Sequence, residues 1–270
     1  MMNKLNKYLF FCGLTLGCAL SAQAKDDFGM WTEAGINKSL TSNLSLSTGI
    51  GFRTNDNMQN VDRWDASIGL SYKVCEHLKL GVGYVYMYSH SYTEWKRNYK
   101  DDIEDHAHWR GYNVTRPYWR SKNRFNLEAT GYANLGRFTF SLRERYQLTG
   151  YNHVWVTKDK YRFNNTIDKD DLEWRSSEKD LKASKTKQYL RSRLRAEYNI
   201  RKCKLTPYAY FELTNNLERG FGYEEHRFSI GGEYKLTKKH RLSLGYVFED
   251  SHDNAENNIH VIDLSYKFKF

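Results

Sequence analysis

Proline is nearly absent from this chain, with two in 270 residues. Long apolar runs are absent too. A membrane-crossing helix needs about 20 consecutive apolar residues, and nothing of that length follows residue 24. Mean hydropathy is −0.80. A helical membrane protein is therefore excluded. Aromatics, by contrast, are plentiful: Phe, Trp and Tyr make up 16% of residues. A disordered chain would lack them, and a soluble globule this polar rarely carries so many. High polarity with many aromatics suits a β-barrel with lipid outside and polar groups inside.

The N-terminus reads as an export leader. Lys4 and Lys7 form a basic start, Tyr8 to Leu20 a short apolar run, and Ala22-Gln23-Ala24 a small-residue cleavage site. Cleavage after Ala24 is expected, giving residues 1–24 as signal peptide and 25–270 as one domain with no visible linker. A lipoprotein signal at Cys18 is the rival reading, disfavoured because Thr15 stands where such signals usually carry Leu. Loss of the leader removes two lysines and no acid from a chain of net charge +10. In an exported barrel that basic balance points to lipopolysaccharide and anionic solutes.

Ile259 to Phe270 reads IHVIDLSYKFKF. Side chains alternate across a strand, so Ile262, Leu264, Tyr266, Phe268 and Phe270 share one apolar face. Such a strand, closing on an aromatic residue, resembles the final strand of bacterial outer-membrane barrels. The resemblance implies an assembly signal in Tyr266, Phe268 and Phe270, read by the barrel-assembly machinery.

The same alternation recurs in hairpins: Met30–Phe52, Trp64–Met87, Phe125–Leu148, Leu190–Leu213 and Phe228–Glu249. With the terminal strand there are eleven segments of about ten residues, the length a tilted barrel strand needs. The turns within hairpins are short. Among the links between them, Tyr92 to Lys122 and Tyr151 to Thr186 are long. Short turns on one rim and long loops on the other predict an all-β transmembrane antiparallel barrel, turns in the periplasm and two long loops outside. Eleven is odd, whereas single-chain bacterial barrels have even counts. Either the first strand runs parallel to the last, or Lys25–Met30 adds an irregular strand, or one segment is misread. The expectation is 10–12 strands, with 12 favoured. Pro207 inside a strand pattern argues for a bulge or a late strand start. Cys75 and Cys203 fall in different tight turns, too far apart for an ordinary disulfide.

Alternation also sorts the charges. Arg143, Arg145, Arg191, Arg193 and Arg195 fall on the inner face, opposed by Glu128, Glu197, Glu212 and Glu233, with Asp65 and Asp263. Enclosed charges must pair or stay wet. These residues therefore predict either an ion-pair packing network or an anion-preferring constriction. Glu144 breaks the pattern by pointing at lipid, and a bulge or a place near the rim would account for it.

Asp27–Leu40, Arg116–Thr149 and Tyr189–Leu213, with patterned stretches such as FSLRERYQ at Phe140–Gln147, resemble a family of outer-membrane barrels from Bacteroidetes, domain-of-unknown-function family 2490. The resemblance covers essentially the mature chain. It implies fold and location and carries no catalytic residues.

A lipid-modifying hydrolase or acyltransferase would place His and Ser two apart on one strand face. None of the nine histidines is followed two residues later by serine, so a non-enzymatic barrel is expected. Asp101, Asp102, Glu104, Asp105, His106 and His108 have divalent-ligand chemistry, but their segment reads as a solvated loop tip and no metal or cofactor is expected. Trp95, Trp109, Tyr112, Tyr118 and Trp119 frame it, as sugar-stacking platforms or as an interfacial girdle. Lys158–Lys185 mixes both charge signs and reads as exposed surface. With no nucleic-acid module recognisable, the expected partners are outer-membrane lipid and lipopolysaccharide, the assembly machinery and small anionic solutes.

Overall fold

The computed structural model describes residues 26–165, 169–251 and 258–270. The leader and the tip of the last link lie outside the described residues. Strands dominate: β1 (Asp27–Ser39), β2 (Leu44–Asn55), β3 (Asn60–Lys73), β4 (Leu78–Ser91), β5 (Glu94–Tyr99), β6 (Trp109–Thr115), β7 (Tyr118–Leu135), β8 (Phe138–Tyr151), β9 (Val154–Asn165), β10 (Asp170–Lys182), β11 (Lys185–Tyr198), β12 (Leu205–Asn216), β13 (Gly222–Lys235), β14 (His240–Ser251) and β15 (Ile259–Lys269).

Eleven of these close into a barrel, in the order β1-β15-β14-β13-β12-β11-β8-β7-β4-β3-β2. The favoured count of twelve is corrected. Among the described residues no extra strand restores even parity; instead β1 runs parallel to β15, with Trp31 opposite Asp263 and Ala34 opposite Tyr266. Every other pairing in the wall is antiparallel. An odd barrel must contain one parallel seam, and the two end strands supply it.

The two long links are not irregular loops. They form a four-stranded sheet, β10-β9-β6-β5. The ladder Ser91–Tyr118 of β4 and β7 resumes at Glu94–Thr115. Likewise Tyr151–Lys185 of β8 and β11 resumes at Val154–Lys182. Pairing of β6 with β9 joins the two hairpins. Four neighbouring wall strands thus continue beyond the rim as one sheet. Lys158–Lys185 is exposed along nearly all of β10, as its mixed charges imply, but β9 and β10 make it strand rather than loop.

Pro207 causes no bulge: it faces Gly232, and the irregularity in that ladder lies at Thr214/Asn215. Pairing of β12 with β11 begins at Tyr208, one residue beyond it, so the proline sits before that ladder needs its missing N–H. Gly136 takes a positive φ of 60° in the β7–β8 turn, a conformation favouring glycine. Cys75 and Cys203 are exposed free thiols.

Candidate functional site

The wall has two faces of opposite polarity. Ile50, Trp64, Ile68, Leu80, Val82, Phe125, Leu142, Leu194, Phe228 and Leu264 project outward and are exposed. The nine lumen-lining charges read from alternation occupy the other face, by register with one another. Arg193 faces Glu212 and Arg143 across its two ladders, and Arg145 faces Glu128.

Glu212 is the centre of the lumen. It is 0% exposed and is shared among four arginines from three strands. Arg143 donates at 2.8 Å, Arg193 at 2.6 Å and Arg191 closer still, while Arg227 stands 3.6 Å away. Arg227 also binds Glu225 at 3.0 Å, and Glu249. Multiple charge-assisted bonds are what make a buried carboxylate tolerable. Arg193 and Arg195 lie 4.1 and 3.9 Å over the rings of Tyr210 and Tyr208. Arg145–Glu128, Arg195–Glu197 and Arg241–Glu233 complete the lining, at 2.8, 2.7 and 2.8 Å. Met87, Thr149, Ser229, Val247 and Val261, from inner faces around the wall, are also fully buried.

Arg53, Arg63 and Arg124 join this interior, though alternation in single hairpins did not single them out. They come from β2, β3 and β7, and closure of the barrel brings them to one cavity.

Glu144 sits mid-strand on the outward face, and no register shift accompanies it. The expected bulge or rim position is corrected. Its Oε2 instead accepts a 2.6 Å hydrogen bond from Ser192.

Above the rim, Asp159 accepts two bonds from Arg116, at 2.7 and 3.0 Å, and one from Ser177. The Arg116 guanidinium, then Ser177, hold its carboxyl down to about 2. Trp95, Trp109 and Tyr112 pack with Tyr161 and Phe163 as the apolar cluster of this sheet. Trp119 instead stacks on Tyr88, 4.9 Å between centroids, and Tyr118 takes Lys182 at 5.1 Å over its ring. Asp105 is engaged by the backbone and ring of His108, at 2.8 and 2.6 Å. Among the described residues no group of three His, Cys, Asp or Glu is arranged to hold a metal ion.

Outward histidines do lie beside hydroxyls: His260, His240 and His226 each meet a tyrosine. His260 Nδ1 is 2.5 Å from the Tyr246 hydroxyl, and its Nε2 is 3.1 Å from Asp26. The partners come from different strands, so a search for His-x-Ser within one strand misses them. At the other rim Tyr266 meets His240 at 2.6 Å, and Phe268 packs edge-on to Phe270 at 4.6 Å.

A closed barrel that is apolar outside and ion-paired inside defines the class. The chain belongs to the family described as "Protein of unknown function (DUF2490)", whose model matches residues 28–260. No curated protein matches it. Among solved structures it is similar to the β domain of the Bordetella autotransporter Brka, at 13% identity and TM-score 0.46, covering 84% of this chain and 82% of that one. It is also similar to OmpT, an outer-membrane protein of Vibrio cholerae, at 11% identity and TM-score 0.22, covering 83% and 87%.

Proposed function

We propose that this protein is a non-enzymatic outer-membrane barrel with a closed waist, acting as a binding or structural component rather than as an open pore. The observation that carries the reading is the complete burial of Glu212 beneath four arginines. Wide channels keep their lining wet, whereas small barrels are filled by side chains. The outward apolar band supports a seat among outer-membrane lipid and lipopolysaccharide, with export through the leader of residues 1–24. In this reading Tyr266, Phe268 and Phe270 serve the assembly machinery, and the sheet above the rim is the exposed binding surface. Planar-bilayer recording of the refolded chain tests it. A folded protein should be silent, and a reproducible anion-selective current would overturn the closed waist and favour an anion channel.

A second reading, a lipid-modifying enzyme, is favoured by Asp26–His260–Tyr246. A carboxylate orients an imidazole beside a hydroxyl on the outward face near the rim, the geometry by which a base activates a nucleophile. Comparing the lipid mass profiles of cells carrying wild type and His260→Gln separates the readings. Identical profiles support the non-enzymatic barrel.

A further inference from the structure

Arg53 and Arg63 stand directly opposite each other on the β2–β3 ladder, both facing inward. Like charges so placed destabilise a sheet unless something compensates them. Arg63 has Asp65 at 3.0 Å. Arg53 has no carboxylate within 4.0 Å among the described residues, and its guanidinium lies 3.9 Å over the Trp31 ring. Arg124 is in the same position. Its Nε donates to Thr149 Oγ1 at 3.1 Å, with no carboxylate in reach among the described residues.

All three arginines line one cavity of about 160 Å³, floored by Arg191 and Arg227 of the Glu212 network. The two acids that line it, Glu224 and Glu225, have partners of their own. Glu225 is bound by Arg227 and Thr214; Glu224 is bound by Tyr189 and Asn216, and its charge is matched by Lys187 at 3.9 Å. One buried donor on that wall lacks an acceptor, and one buried acceptor lacks a donor. Among the described residues Arg191 Nε has no partner, and neither has the side-chain carbonyl of Gln147, an acceptor in a residue 3% exposed. A flipped Gln147 amide would offer a further donor. A buried donor left without an acceptor calls for an explanation, an unseen ion among them.

We propose that this cavity binds a small doubly charged oxyanion of the phosphate class, held by Arg53, Arg63 and Arg124. Three guanidinium groups against the single carboxylate of Asp65 leave two positive charges, which a dianion neutralises. The guanidinium fork matches phosphate oxygens two at a time. A water takes about 30 Å³ of liquid, so the space suits one tetrahedral oxyanion with residual water. Arg53 and Arg63 lie close to the β2–β3 link at 56–59, which places the site by the rim that carries the outer sheet. The inference rests on the closed waist, because the Glu212 network is the cavity floor.

Calorimetry on the refolded full chain in non-ionic detergent tests it, titrating inorganic phosphate at constant ionic strength. Saturable one-to-one binding is expected, at least tenfold weaker in Arg53→Gln/Arg124→Gln. Sodium chloride should produce no such heat. Unfolding gives a second readout that does not depend on the heat signal. Phosphate should raise the wild-type midpoint, since a ligand of the folded state stabilises it. The double variant should unfold later than wild type without phosphate and gain nothing from it. Absence of saturable binding by wild type, or undiminished binding by the double variant, overturns the site. Dihexanoyl phosphatidic acid separates the sources: binding as tight as phosphate assigns a lipid headgroup, and binding by phosphate alone assigns a free solute. A silent bilayer with no phosphate heat would remove the site and leave the closed barrel standing. A conducting bilayer would remove the closed waist whatever the calorimetry reads.

Discussion

Glu144 and Ser192 face each other across the β8–β11 ladder, carboxylate to hydroxyl at 2.6 Å, on the outward side of the wall. Their same-face neighbours are Leu142, Tyr146, Leu190 and Leu194. One hydroxyl is thin compensation for a carboxylate set among apolar side chains, on the face proposed to meet lipid. Glu144→Leu should therefore stabilise the barrel, by less than about 2 kcal/mol, since acids on a lipid face cost less than the 2–4 of basic residues. Urea unfolding in lipid vesicles measures it, and a loss of stability would mean that Glu144 has a partner on that face.

Glu212 carries the opposite expectation. Glu212→Gln leaves Arg143, Arg191, Arg193 and Arg227 facing one another. Breaking a buried ion network in this way costs about 3–5 kcal/mol. The half-exposed Arg241–Glu233 pair should contribute only about 0–1 kcal/mol. Equal unfolding midpoints for Glu212→Gln and Glu233→Gln would refute the ranking.

The parallel seam is open to chemical test. Ala34 and Tyr266 are register partners, and neighbouring strands lie about 4.8 Å apart, within disulfide reach. In a Cys75→Ser/Cys203→Ser background, Ala34→Cys with Tyr266→Cys should cross-link on oxidation, and the heat-denatured chain should then migrate faster. A twelfth strand between β1 and β15 would prevent the bond.

Acid should loosen the outer sheet before the wall. The Asp159 carboxyl, lowered in the folded state to about 2, contributes stability above the ordinary carboxylate range. That contribution is lost as pH falls from about 4 toward 2. Pepsin cleavage within β9–β10 should rise over this window in wild type and be already high at about pH 4 in Asp159→Asn. A flat profile shared by both would show that Arg116–Asp159 does not hold the hairpin.

The wall was legible because a half-buried strand has a period of two. All eleven wall segments, the Arg–Glu interior and the option of a parallel first strand can be read from alternation alone. Preferring twelve strands came from expecting even parity, a rule about other barrels and not a property of these residues. The outer sheet was not legible. Its strands mix charges on both faces, as in KDKYRF at Lys158–Phe163, and take their register from wall strands far away in sequence. Arg53, Arg63 and Arg124 escape a hairpin-by-hairpin reading because only the closed curvature of the wall turns three separate strands toward one cavity.

Because β1 and β15 run in the same direction, Asp27 lies at the rim bearing the long links and Lys269 at the rim of short turns. An even-stranded barrel would leave both positions on one side. In the proposed outer-membrane setting, epitopes placed beside Asp27 and beside Phe270 would be read from two different compartments, and whole-cell antibody labelling would reach one of them without the other.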